Sequence, residues 1–437
     1  MDNRLYRSKY RRKMKRFFIA ALAGIVSCAF VQVVSAADAA KFTEKVVYSF
    51  CSQQNCADGS IPAYLIDAKG TLYGTTRLGG HPGCGGEGCG TVFSLDPGTG
   101  AEAVIYSFCI RQNCADGYDP RDLIDAKGTL YGTTGAGGGS GCVFSEGCGT
   151  VFSLDPGTGA ETVLHAFGRR DRGKQPVAVT AVNGKLFGVA VGAGETSCRC
   201  GIIFSMNRDT GAERVLHSFS GGTDGAYPLG GLIAVDGTLY GTTESGGMEG
   251  TGCIKKGCGT LFSFDPSMGT ETVLYAFRGG TDGALPWSAL IDVNGVLYGT
   301  TSLGGSDRSA CCGTVFSFDL STGVERVLYS FCSQPNCADG EEPYAALIDV
   351  NGKLYGTTDE GGGDTNLCSS GCGTVFSLDP DTGRETVIYA FCSQQNCTDG
   401  AYPENDAPLV AMKGTLYGET SVGGAYGYGT VFALTKQ

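Results

Sequence analysis

The chain has 437 residues, with 72 glycines, 14 prolines and 21 cysteines, and its 32 Lys and Arg against 44 Asp and Glu give a formal net charge of −12. Such an acidic surface repels phosphate backbones, which excludes nucleic acid as a partner. Abundant glycine with almost no helical periodicity excludes helical solenoids and points to one large repeat fold of short strands.

At the start of the chain, the basic stretch "RRKMKR" precedes an apolar run from Phe17 to Val34 and a small-residue "VSA" ending at Ala36. This pattern predicts a secretory signal peptide over residues 1–36 and a single domain over residues 37–437. A lipobox-like "IVSC" ending at Cys28 makes a lipid anchor one alternative, and a retained membrane anchor is the other. Without residues 1–36, 24 basic and 43 acidic residues remain, a net charge of −19. The expected protein is secreted or periplasmic, monomeric, and without a membrane span after cleavage.

The next element is "EKVVYSF" from Glu44, a β-type run with apolar side chains on both faces, followed by the loop "FCSQQNCADG" from Phe50. An apolar "LIDA" run (strand A), a Lys69-Gly70 turn and "TLYGTT" (strand B) come next. A Gly- and Cys-rich loop then leads to "GTVFSLD" (strand C), a "PGTG" turn and "EAVIYSF" (strand D). Hairpin chemistry at the Gly turns and β-branched, aromatic-rich runs between them mark each as a strand. The strand B motif recurs at Leu72, Leu130, Leu186, Leu239, Leu297, Leu354 and Leu416, spaced 53 to 62 residues apart. Four strands per unit, with neighbours on both faces, predict an all-β, seven-bladed β-propeller of four-stranded blades.

The two ends supply the closure. A D strand with no A, B and C before it opens the series at Glu44, and a C strand with no D after it, "GTVFAL" from Gly429, ends it. The N-terminal strand is therefore expected to complete the last blade and leave no unpaired blade edge.

Cys28 apart, the cysteines fall into ten neighbouring couples, which points to an oxidising compartment. Four are loop cassettes of one form: Cys51/Cys56, Cys109/Cys114, Cys332/Cys337 and Cys392/Cys397. The others are Cys84/Cys89, Cys142/Cys148, Cys198/Cys200, Cys253/Cys258, Cys311/Cys312 and Cys368/Cys372. Local disulfides are the expectation, with inter-loop pairings and zinc as the competing readings. The pairing of the vicinal Cys311/Cys312 stays open. Zinc prefers facing CxxC knuckles or histidine co-ligands, and the chain has three histidines, so no metal is expected.

The tandem "LYGTT", "GCGTVFSLDP", "ETVLYSF" unit resembles the GloVer (Gloeo/Verruco) repeat of bacterial "choice-of-anchor" surface proteins, over residues 44–434. The resemblance implies an exported protein of uncharacterised activity. The unit is also similar to kelch and quinoprotein repeats, but the kelch tryptophan is missing from a chain with one Trp, and no cofactor is carried over.

In an up-and-down blade the A–B and C–D turns share one face, and the B–C and D–A loops share the other. All ten cysteine couples fall on the second, loop-rich face, where a rigid ring presents a binding surface. Each D–A connection contains one proline, from Pro62 round to Pro403, and the residues after these prolines are the least repetitive of the chain. With A innermost they ring the mouth of the central channel, so Tyr64, Arg121, Asp122, Trp287, Tyr344, Glu404 and Asn405 are the candidate ligand-binding residues. Rings and charges on a fixed frame suit a carbohydrate or protein ligand. The alternative is an enzyme acting on polysaccharide through Asp122, Glu404 and Asp406, which requires carboxylates about 5 to 9.5 Å apart. No catalytic residue is assigned.

Overall fold

The computed structural model describes residues 42–138, 148–168, 175–192, 198–248, 253, 257–305, 311–363, 367–403 and 407–437. The predicted signal peptide and Cys28 lie outside these residues. Seven antiparallel sheets follow one another along the chain. Blade 1 is Ser60–Ala68, Thr71–Leu78, Thr91–Leu95 and Glu102–Ser107, hydrogen-bonded in that order. Blades 2 to 6 repeat it, from Tyr118–Ala126 in blade 2 to Arg384–Ala390 in blade 6. In blade 7 strand A is split into Ala401–Pro403 and Val410–Met412, both paired with Thr415–Val422.

Ring closure occurs as the sequence requires. Phe42–Ser49 pairs antiparallel with Thr430–Lys436, Phe42 opposite Lys436 and Ser49 opposite Thr430, so the first strand is strand D of blade 7. A strands of successive blades approach one another around much of the ring, which places A innermost and D outermost. Strand C is buried along most of its length, as in Thr91–Leu95. Strand D is not covered on both faces: Phe42–Ser49 alternates between half-buried and exposed at its start, because it forms the outer wall of its blade.

The tight turns follow their chemistry. At the A–B turn of blade 1, Lys69 and Gly70 have φ of 59° and 89°, the pair of left-handed residues a type I′ hairpin needs, and Asp67 Oδ1 accepts from Gly70 N at 2.7 Å.

Three contacts repeat at the seams between blades. First, the phenylalanine after each D strand meets the strand C phenylalanine of the next blade edge-to-face, from Phe50–Phe93 at 5.1 Å to Phe391–Phe432 at 5.0 Å. Second, its amide donates to the glycine that opens strand C of its own blade, as Phe108 N does to Gly90 O at 3.0 Å. Third, that glycine lies under the D–A proline of the next blade. A Cβ on Gly90 would collide with Pro120, and one on Gly429 with Pro62. The seven prolines are thus seam contacts, which explains their regularity.

Inside six blades a buried hydroxyl pair ties B to C, as Thr301 to Thr314 at 2.8 Å. Blade 3 replaces both partners at once, with Ala190 opposite Ile202, so no hydroxyl is orphaned. Changing Thr301 alone to valine leaves the Thr314 hydroxyl without its partner and should lower the melting temperature more than the double change to the blade 3 pair; equal losses would count against the pairing.

Candidate functional site at the channel mouth

Nine of the expected cysteine couples are bonded to one another: Cys51–Cys56, Cys84–Cys89, Cys109–Cys114, Cys198–Cys200, Cys253–Cys258, Cys311–Cys312, Cys332–Cys337, Cys368–Cys372 and Cys392–Cys397. The tenth expected couple, Cys142/Cys148, is not among these nine. Cys148 is 1% exposed, packs in the core between blades 2 and 3 and is disulfide-bonded, whereas Cys142, its expected partner, lies outside the described residues. All nine bonds are on the loop face. Intact-mass analysis of denatured, unreduced protein should find none of the cysteines beyond Cys28 open to alkylation, and an alkylated species would contradict the pairing.

The aspartate of each cassette holds its loop. Asp58 accepts from Ser52 N at 2.8 Å, from Gln53 N at 3.2 Å and from the Tyr48 hydroxyl at 2.8 Å. Asp339 and Asp399 repeat this set. Where histidine replaces the tyrosine, His217 lies 3.6 Å from Asp224 and packs on Phe219, its pKa lowered by burial.

The residue before each D–A proline is left-handed: Ile61, Asp119, Gln175, Tyr227, Leu285, Glu342 and Tyr402 all have φ between 54° and 59°. Each amide donates to the preceding blade's strand B–C loop, as Glu342 N does to Cys312 O at 2.9 Å and Gln175 N to Cys148 O at 2.7 Å. The conformation is costly for non-glycine residues, Ile61 above all, and the seam contacts impose it. These variable positions were not singled out from sequence, because a residue before proline is expected to be extended. Their variability beside a proline that recurs in every repeat was the available signal.

Two groups result. At blades 1 and 2, Asp119 lies 3.4 Å from Arg121 and 3.8 Å from Arg77, which is 5% exposed. Asp122 is 3% exposed and braces the next blade, accepting from Val179 N at 2.7 Å. Tyr64 packs against the core between these blades.

At blades 5 and 6, Trp287 and Tyr344 occupy the same position of adjoining blades. Their ring centroids are 4.8 Å apart, the planes tilted by 41°. Both are half-buried, and neither belongs to a blade core. The Tyr344 hydroxyl donates to Glu342 at 2.9 Å, and burial, then Glu342, holds its pKa well above the usual phenol range. Glu342, Asp359 and Glu360 each bring one carboxylate oxygen within 4.8 Å of the others, an oxygen donor set of the kind hard cations take. The Trp287 indole N–H is occluded and has no acceptor among the described residues. Glu404, Asn405 and Asp406 lie outside the described residues.

A ring of four-stranded blades, closed by its first strand and cross-linked on one face, defines a disulfide-stiffened β-propeller of an oxidising compartment. Among the described residues no helix is long and apolar enough to cross a membrane. The Gloeobacter/Verrucomicrobia repeat matches residues 35–255, 143–368 and 253–432, and the chain belongs to that repeat family. No curated protein matches it. Among solved structures, it is similar to an oligogalacturonate lyase from Vibrio parahaemolyticus, with TM-score 0.52 and 8% identity over 90% of this chain and 97% of that one. A puromycin-hydrolyzing peptidase of Mycobacterium tuberculosis gives TM-score 0.50 and 12% identity over 85% of this chain and 52% of that one. At such identities the likeness is one of fold alone.

Proposed function

We propose that this protein is an exported binding module that holds a carbohydrate or protein ligand at the channel mouth of its loop face. The observation that carries the reading is the Trp287–Tyr344 pair, two large rings outside the blade cores at adjoining positions of a rigid frame. Aromatic rings beside carboxylates are what sugar and peptide recognition uses, the rings giving contact area and the acids orientation. An acceptor brought by a ligand would relieve the unpaired Trp287 N–H.

The test is depletion of the oxidised protein by a panel of cell-surface and plant polysaccharides, with soluble sugar release followed in parallel. We expect depletion without products, reduced at least tenfold in a Trp287→Ala, Tyr344→Ala variant. Released products would replace the binding reading with an enzyme. Equal depletion of the variant would move the site elsewhere.

A further inference from the structure

Strand D of every blade carries one glutamate near its start, and six of the seven face a tyrosine–aspartate or histidine–aspartate pair of the preceding blade. Glu102 faces Tyr48 and Asp58; Glu44, across the ring closure, faces Tyr389 and Asp399. Glu385 faces Tyr329 and Asp339, and Glu325 faces Tyr275, Asp282 and the cation Arg278. Glu271 faces Asp224, which His217 also touches. Glu161 faces Tyr106 and Asp116 and is paired with Arg111 at 2.6 Å.

Proton counting shows what these seams need. The Tyr48 hydroxyl has one proton and two carboxyl groups in reach, Asp58 Oδ2 at 2.8 Å and Glu102 Oε2 at 3.3 Å. The same holds for Tyr389, 2.7 Å from Asp399 Oδ2 and 3.5 Å from Glu44 Oε2. Each aspartate is further supplied by loop amides, whereas Oε1 of Glu44, Glu102, Glu271, Glu325 and Glu385 is buried with no hydrogen-bond partner among the described residues. An ionised glutamate here would be a buried charge short of donors beside a second carboxylate, relieved at Glu161 by Arg111 and in part at Glu44 by Gln394 Nε2 at 3.1 Å and at Glu325 by Arg278. Where a tyrosine lies between them, a protonated one donates its own O–H into the chain that ends on the aspartate.

We propose that these glutamates, Glu161 with its Arg111 partner apart, act as a ring of proton-operated latches between blades, closed when protonated in mildly acidic surroundings and opened as the medium turns neutral to alkaline. The site at the channel mouth plays no part in the device. Burial first, then the neighbouring aspartate, raises Glu44, Glu102, Glu271 and Glu325 from an ordinary 4.5 to about 7, and Glu385 to about 8. Glu161 also reaches about 7 by burial, with Arg111 opposing the rise. Between 4.5 and these values the folded chain binds more protons than the unfolded one. Stability therefore falls as pH rises through that window and levels off beyond it.

The experiment is thermal unfolding of the oxidised full chain from pH 4.5 to 8.5, for the parent, Glu102→Gln, Glu385→Gln and the double variant. Glutamine mimics the protonated acid. We expect the parent to melt several degrees lower at pH 8 than at pH 5, and each glutamine to remove part of that fall by raising the pH 8 value. A parent that melts equally or higher at pH 8, or variants with the parent's slope, would overturn the proposal. Infrared spectroscopy of the parent reads the same claim without mutation: a protonated-carboxyl band persisting at pH 6.5 supports it, and its absence refutes it.

Discussion

Removing residues 1–49 should abolish the cooperative melting of the whole ring, not of one blade. The deletion takes away strand D of blade 7, whose ladder to Thr430–Lys436 is, among the described residues, the only strand pairing that closes the circle. It also removes Tyr48, which holds Asp58, and frees the outer edge of Thr430–Lys436 for pairing with other chains. In a repeat architecture each unit is stabilised by its neighbours, so an opened ring has two ends where it had none. The expected loss is comparable with the whole stability of an ordinary domain, about 5–15 kcal/mol. Calorimetry and size-exclusion chromatography check this, and a truncated chain that melts as a monomer at the parental temperature would refute closure. A peptide of residues 42–50 added in trans should restore part of the transition.

The second large effect concerns the seams. Phe316 is fully buried in strand C of blade 5 and meets Phe277, which follows strand D of blade 4, at 5.0 Å with planes at 68°. Cutting it to alanine empties a site that both blades line, at a cost of about 3–5 kcal/mol. Denaturant unfolding of Phe316→Ala should show this as a lowered midpoint. Met268→Ala, at a side chain 76% exposed in a C–D turn, should leave the midpoint unchanged. Matching losses would mean that the seam phenylalanines do not hold the blades together.

The blades and their closure were legible because their signals are local. A Gly turn and a β-branched, aromatic-rich run are written in adjacent residues, and counting the repeated units leaves one unmatched strand at each end. What the seams require was not legible, since it joins residues from different repeats. In sequence the D–A prolines mark only the residues that follow them, and the structure shows each proline lying against a glycine of the preceding blade. Nothing in the strand D runs marks their glutamates, and only the tyrosine and aspartate of the preceding blade show what they face. At the mouth, Trp287 and Tyr344 were singled out and do meet, and Arg121 meets Asp119. Asp122 was singled out as well, and its carboxylate is spent on a backbone amide.

The closing ladder also decides how the molecule stands on whatever holds it. Phe42 and Lys436 lie opposite one another where the other six blades have a C–D turn, so both ends of the ring leave from the plain face. A leash of any chemistry added before residue 42 or after residue 437 would point the mouth away from its support. Two leashes, one at each end, would pull on a single blade across seven paired residues, unzipping its outer strand before any load reached the other six.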